Sequence, residues 1–187
     1  MAKSSKGSRF EREFSRDLSL WWSGGKHSDL FWRSSQSGGR ATVRRRKGLS
    51  TRGHCGDITA TDSVGEPLIR YVTIELKRGY SSHTVHDMFD KPVNGAKQEW
   101  EKWILQAHQA KKNAGTPYWM IVAKRDRREA VVLCPLGLYT DLRMAEVPGR
   151  VMMVSKGGES VALMLFPLRD LFKVDVKKAK KRIREWL

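Results

Sequence analysis

An α/β fold with a mixed central β-sheet flanked by helices is predicted by three features of this 187-residue sequence. Two separated segments, 8–22 and 96–114, place their apolar residues on one face at helical spacing. Short apolar or β-branched runs at Asp57–Thr61, Leu68–Lys77, Tyr118–Ala123 and Ala130–Cys134 are bounded by turn residues, as strands are. The second helical segment joins two of those runs, so it can pack across the sheet they form. With 40% hydrophobic residues the chain has material for one full core. Residues 1–135 are expected to form that core, and 136–187 a C-terminal extension of the same domain with a basic terminal helix.

Thirty-six Lys and Arg against 20 Asp and Glu give a formal charge of +16. Such a surface concentrates polyanions, and nucleic acid is the polyanion a soluble protein most often meets. Cys55 and Cys134 are too few and too far apart for a disulfide framework or a zinc ribbon, which fits a reducing compartment. No apolar run is long enough to span a bilayer and the opening MAKSSKGSRFERE has no signal-peptide core, so a cytoplasmic location is expected. The absence of a GKS or GKT phosphate loop and of GxGxxG argues against a nucleotide cofactor, and so against a helicase or ligase. HExxH is absent as well, and no Ser-His-Asp signature emerges.

Taken in order, Ser8 can cap a helix running to Trp22, with Phe10, Phe14, Leu18 and Trp21 on its packed face. Glu11 falls inside the edge of that face and needs a partner. It is either a third acid at a metal or a core-edge glutamate bonded to an arginine. Gly24 and Gly25 end the helix, and Leu30–Arg33 is a short strand. The Ser-, Gly- and Arg-rich stretch that follows contains Arg44, Arg45, Arg46 and Lys47 in succession. It reads as a flexible basic loop or loose hairpin whose cations neutralise DNA backbone phosphates.

Asp57–Thr61 and Leu68–Lys77 flank the turn-like Asp62-Ser63-Val64-Gly65-Glu66-Pro67, which predicts a β-hairpin. Alternation sends Val72, Ile74 and Leu76 to one face and Thr73, Glu75 and Lys77 to the other. The long polar connection after Lys77 holds His83, His86, Asp87 and Asp90, whose spacing matches no metal pattern and reads as loop residues near a substrate. In 96–114, Trp100, Trp103, Ile104, Ala107 and Ala114 share a face, a spacing that assigns the tryptophans to the core rather than to base stacking; Gln106 flanks them. Gly115 and Pro117 precede the strand Tyr118–Ala123, and the charged turn KRDRRE makes a hairpin with Ala130–Cys134. Leu136–Met144 reads as a helix, Val151–Val154 and Val161–Phe166 as a strand pair, and Pro167–Phe172 as a short apolar piece. The basic tail VDVKKAKKRIREWL is a helix with Val176, Ala179, Ile183 and Trp186 near one face. Closing the fold, meeting a second subunit and lying along DNA are all open to it.

In the antiparallel hairpin Asp57 lies beside Glu75. Two converging carboxylates repel, and burying them is costly unless a cation neutralises them. Hard oxygen donors without Cys or His favour Mg²⁺ or Mn²⁺ over zinc. Lys77, beside such a cation, can hold or activate a water and stabilise charge developing on a phosphate.

Glu11 on the first helix, Asp57 at a strand start and Glu75-Leu76-Lys77 on the next strand together resemble the PD-(D/E)XK nuclease superfamily, whose core is restriction-endonuclease-like. From Lys6 to Lys124, KGSRFERE, WRSSQSGG, GDI followed by IELK, and NAGTPYWMIVAKR are most similar to archaeal-type Holliday junction resolvases. The resemblance implies Mg²⁺-dependent hydrolysis of phosphodiester bonds in branched DNA, with Mn²⁺ as a substitute. It implies Asp57, Glu75 and the Leu76 backbone carbonyl as metal ligands, with Glu11 an additional or indirect one. Lys77 would position water, and Arg33, Ser35, Ser37 and Gln106 would serve the DNA. Family members act as homodimers, pairing two sites on one branched substrate. Two departures stand out: Gly56 replaces the usual proline, and the insertion between Gly39 and Asp57 is longer and more basic. The alternatives are a nuclease for linear duplex or DNA ends, and a non-catalytic basic DNA-binding protein.

Overall fold

The apolar stripe of the first segment becomes α1 (Lys6–Ser23) in the computed structural model, which describes residues 6–34, 56–90, 94–142, 144, 147–156 and 159–187. Phe10, Phe14, Leu18 and Trp22 form its buried side. The expected face ended at Trp21, but Trp22 is the fully buried one and its indole donates to the Val64 carbonyl at 2.7 Å. Trp21 packs at the edge and donates to the Val174 carbonyl at 2.9 Å. Ser15 and Ser19 are small enough to admit a strand against the helix. The Ser19 hydroxyl accepts the Phe31 N–H at 3.0 Å, which pins β1 (Phe31–Arg33) beside α1. β2 (Ile58–Ala60) pairs antiparallel with β1, Arg33 standing opposite Ile58.

The hairpin expected across residues 57–77 does not form. Glu66–Tyr71 is instead a short helix, α2, with Pro67 in its first turn, where a missing N–H costs nothing. Leu68, Ile69 and Tyr71 are buried by that helix, so their apolar run reflects burial and not strand alternation. Of the strand expected over Leu68–Lys77 only the part from Val72 forms, as β3 (Val72–Arg78), and its partner is β4 (Tyr118–Lys124), parallel, with Glu75 opposite Ile121.

A parallel pair requires a crossover, and α3 (Glu99–Ala114) supplies it. The helix begins three residues later than its apolar pattern suggests, where Gln98 and Glu101 make a reciprocal cap; Gly115, at φ 69°, ends it. Trp100, Trp103 and Ala107 pack on Trp119, Ile121, Ala123, Leu133 and Leu163, so the tryptophans are core residues as their spacing indicated.

β5 (Val131–Pro135) returns antiparallel to β4. α4 (Leu136–Asp141), β6 (Arg150–Lys156) and β7 (Glu159–Pro167) follow, and β7 inserts between β5 and β6. The result is a five-stranded mixed sheet in the order β3-β4-β5-β7-β6, with α3 on one face. α1, α2 and the terminal helices α5 (Leu168–Leu171) and α6 (Val176–Trp186) join the core of the other face, built on Val72, Ile74, Val122 and Phe166. This is the helix-flanked mixed α/β sheet expected, and it is consistent with a restriction-endonuclease-like fold. Among the described residues no helix is long and apolar enough to cross a membrane.

Candidate active site

β3 is an edge strand, and Asp57 occupies that edge as a single rung. Its N–H donates to the Ile74 carbonyl at 2.8 Å, and its Oδ2 accepts the Leu76 N–H at 2.7 Å, replacing the backbone acceptor a full strand would offer. Its own carbonyl accepts from the Ser34 N–H at 2.8 Å, which ties the rung to the end of β1. Such close approach needs Gly56, whose φ is 90°. A Cβ there would lie 2.8 Å from the Ile74 oxygen.

Between Ile74 and Leu76, Glu75 points to the α3 side of the sheet and its side chain is 3% exposed. Its Oε2 accepts from Gln106 Nε2 at 2.9 Å and lies 3.4 Å from the Lys77 ammonium. The Lys77 ammonium also donates to Gln106 Oε1 at 2.8 Å, so the one amide holds both members of the Glu-Leu-Lys triplet. Burial pushes the Glu75 carboxyl up, and the neighbouring Asp57 carboxylate pushes it further, to about 7, against the pull of Lys77. The two carboxylates therefore act on one another although no hairpin joins them.

Glu11 opens onto the same hollow, a cavity of about 260 Å³ lined also by Asp57, Leu76, Lys77 and Gln106. At roughly 30 Å³ per water it has room for a phosphate group with several waters. The Glu11 carboxylate lies 3.7 Å from the Arg33 guanidinium, which matches the arginine-bonded alternative for this residue. Among the described residues no group of three or more His, Cys, Asp or Glu side chains is gathered as a metal would need. Asp57 and Glu75 are the acidic pair, with Glu11 on the cavity wall.

Gln106, expected to serve the DNA, lines the cavity and bridges Glu75 and Lys77, a bridge that sequence reasoning missed; its place one turn beyond Trp103 was the available signal. Arg78 and Tyr80 line the cavity without having been singled out. Arg78 is held by Asp126 at 2.7 Å, and Tyr80 stands edge-on to Trp103 at 4.8 Å. His83, His86 and Asp87 lie in and beside a 3₁₀ turn, Val85–Met88, capped by Thr84 and Asp87. Ser35, Ser37, Arg44, Arg45, Arg46 and Lys47 lie outside the described residues.

Residues 2–174 match the family described as "Phage putative PDDEXK endonuclease". The chain belongs to this family. Membership places it among the PD-(D/E)XK nucleases, with DNA as the substrate the family implies. The match names phage endonucleases, and the likeness to archaeal-type resolvases rests on the short motifs alone. No curated protein and no solved structure was found to match the chain.

Proposed function

We propose that this chain is a metal-dependent endodeoxyribonuclease that hydrolyses phosphodiester bonds in branched DNA. The observation that carries the reading is the approach of Asp57 to β3 beside Glu75 and Lys77, in a family of PD-(D/E)XK endonucleases. The donor chemistry fits a hard cation: two carboxylates, one of them pushed up by burial and then by the other's charge, and a peptide carbonyl. Asp57, Glu75 and the Leu76 carbonyl would hold it, with Glu11 as an additional or indirect ligand. Mg²⁺ is the expected ion and Mn²⁺ its substitute. A divalent cation there supplies neutralisation of the carboxylate pair, polarisation of the phosphate and a water of lowered pKa.

The chain's own groups do the rest. Lys77, fixed between Glu75 and Gln106, orients the attacking water and stabilises the charge that grows on the phosphate oxygens. Water oxygen bonds to phosphorus as the opposite P–O bond breaks, and the departing oxygen takes up a proton. Arg33, paired with Glu11, meets the strand's phosphate together with Ser35 and Ser37, while Arg44, Arg45, Arg46 and Lys47 neutralise further phosphates. Two copies of the chain acting as a homodimer would place two such sites on one junction. The branched substrate and the dimer are supported by the motif resemblance.

Cleavage of a four-way junction and a matched linear duplex in Mg²⁺ tests the reading, with Asp57→Ala and Lys77→Ala beside the intact chain. Each variant should bind DNA but cut at least about 10²-fold more slowly. Equal cutting of junction and duplex removes the preference for branches. An intact chain that binds DNA and cuts nothing in Mg²⁺ or Mn²⁺ is the non-catalytic binder.

A further inference from the structure

α6 sets Lys177, Lys180, Lys181 and Arg184 at i, i+3, i+4 and i+7, the spacing that gathers four side chains on one helix face. Its opposite side is taken up by the core, where Ala179 and Ile183 are buried and Trp186 stands edge-on to Tyr71 at 5.4 Å. Arg182 is paired with Asp141 at 3.1 Å. By contrast, no carboxylate of the described residues lies within ion-pair distance of the four cations in the stripe. Like charges one turn apart destabilise a helix, so the stripe costs stability and its use lies outside the fold.

The stripe is placed relative to the candidate site. The Lys180 ammonium sits 4.9 Å from the ring of Trp22, which lies eleven residues after Glu11 on α1. At 1.5 Å per residue that is about 16 Å, roughly five base pairs of duplex at 3.4 Å each. A cavity of about 830 Å³ carries the surface from Lys180 past Lys26, His27 and the half-exposed Trp32, with Asp29 and Asp62 its acids. Trp32 belongs to the β1–β2 ribbon whose other end is at Arg33 and Asp57. Over its four cations the stripe spans about 10 Å, the rise of three base-pair steps along one strand.

We propose that this face of α6 grips the phosphate backbone of the duplex arm about five base pairs from the bond that is cut. The grip rests on the nuclease reading for its ligand, duplex DNA. A membrane surface fits less well, because an interfacial helix inserts its apolar face and that of α6 is buried against the core.

The test is binding of the full chain to a duplex of about 30 base pairs without divalent cations, as a function of salt. Lys177→Gln, Lys181→Gln and Arg184→Gln are combined, sparing Lys180 because it packs on Trp22. Each lost phosphate contact removes about 0.9 from the slope of log affinity against log salt, so the slope should fall by about 2 to 3. Affinity should drop ten-fold or more, while Lys177→Arg with Lys181→Arg keeps both. With charge repulsion relieved, the triple variant should melt no lower than the intact chain, which separates a lost contact from a lost fold. In Mg²⁺ it should show a raised KM at unchanged kcat. An unchanged slope overturns the grip, as does an unchanged slope accompanied by lost binding to phosphatidylglycerol vesicles. A slope that falls in a chain that never cuts supports the grip and defeats the nuclease reading alone.

Discussion

Two acidic side chains meet the β3–β4 pair, one where its strands begin and one at the middle of β3, and the fold treats them in opposite ways. Asp141 stands where these strands begin and is met by the hydroxyls of Tyr71 and Tyr118, at 2.9 and 2.6 Å, and by Arg182 at 3.1 Å. Burial pushes its carboxyl up, yet those three donors outweigh burial and hold it below the usual carboxylate range. The same contact and burial push the Tyr118 hydroxyl up to about 12. Glu75, at the middle of β3, receives Gln106 and a longer contact from Lys77, and burial together with Asp57 beside it pushes it up to about 7. One carboxylate is held low by its partners; the other stays raised by burial and by Asp57 in spite of Lys77 and Gln106. Strongly shifted acids that the fold leaves unbalanced gather at functional sites, whereas a network like that of Asp141 holds elements together.

The largest break of this contrast comes from Gly56→Ala. The added Cβ would stand 2.8 Å from the Ile74 oxygen and 3.0 Å from Thr73 Cγ2, at a φ of 90° that alanine resists. Asp57 must then leave β3, and Glu75 loses the neighbour that raises it. Cleavage should fall about 10²-fold, as a displacement near 1 Å can do, with stability lowered by about 1–3 kcal/mol. Full activity in the cleavage assay would mean that this rung does not set the chemistry.

Asp141→Ala attacks the other acid. It strands two part-buried hydroxyls and the Arg182 charge, so a loss of about 2–3 kcal/mol is expected in urea unfolding, with cleavage per folded molecule unchanged. A carboxyl held low in the folded chain stabilises above its unfolded pKa, and that contribution is lost as pH falls through its lower, folded value. The gap between variant and intact chain should therefore be full at neutral pH and narrow below about pH 3.9. A gap of constant size across that range would show that packing, not charge, holds α6 to the strands.

How much of this was legible depends on how far each contact reaches along the chain. The alternation Val72/Ile74/Leu76 against Thr73/Glu75/Lys77 is local, and the structure keeps it. The tryptophan face of α3 and the strand Tyr118–Lys124 are long, regular patterns and also stand. The hairpin is lost because Leu68–Tyr71 reads as the start of a strand while burial of Leu68, Ile69 and Tyr71 fixes Glu66–Tyr71 as a helix. Asp57 still meets β3, through one backbone rung and its own carboxylate instead of a ladder of pairs. For Glu11 the sequence left two partners open, and only the fold brings Arg33 to 3.7 Å. Gln106 was visible as a flanking residue, but its bridge spans 29 and 31 residues to Lys77 and Glu75. Asp141 carried no signal at all, since its partners lie 70, 23 and 41 residues away.

Glu75→Gln is the finest test of the contrast, because it changes the charge and keeps the shape. In the unfolded chain this carboxyl loses its proton near 4.5, and in the folded chain near 7. Between those values the folded state binds more protons, so stability falls as pH rises, and above about pH 7 the penalty is complete. Glutamine can still accept from Gln106 and Lys77 but carries no charge to be desolvated or repelled by Asp57. Without metal, the variant should match the intact chain near pH 4.5 and exceed its stability by on the order of 1–2 kcal/mol at pH 8, part of the gain being offset by the lost ion pair with Lys77. Mg²⁺ should reverse the order, since a cation that binds only the folded state stabilises it in proportion to its affinity, and the variant has lost a ligand. If the variant is the less stable at every pH without metal, then Lys77 and Gln106 already satisfy Glu75 as fully as the tyrosines satisfy Asp141, and the two acids are alike.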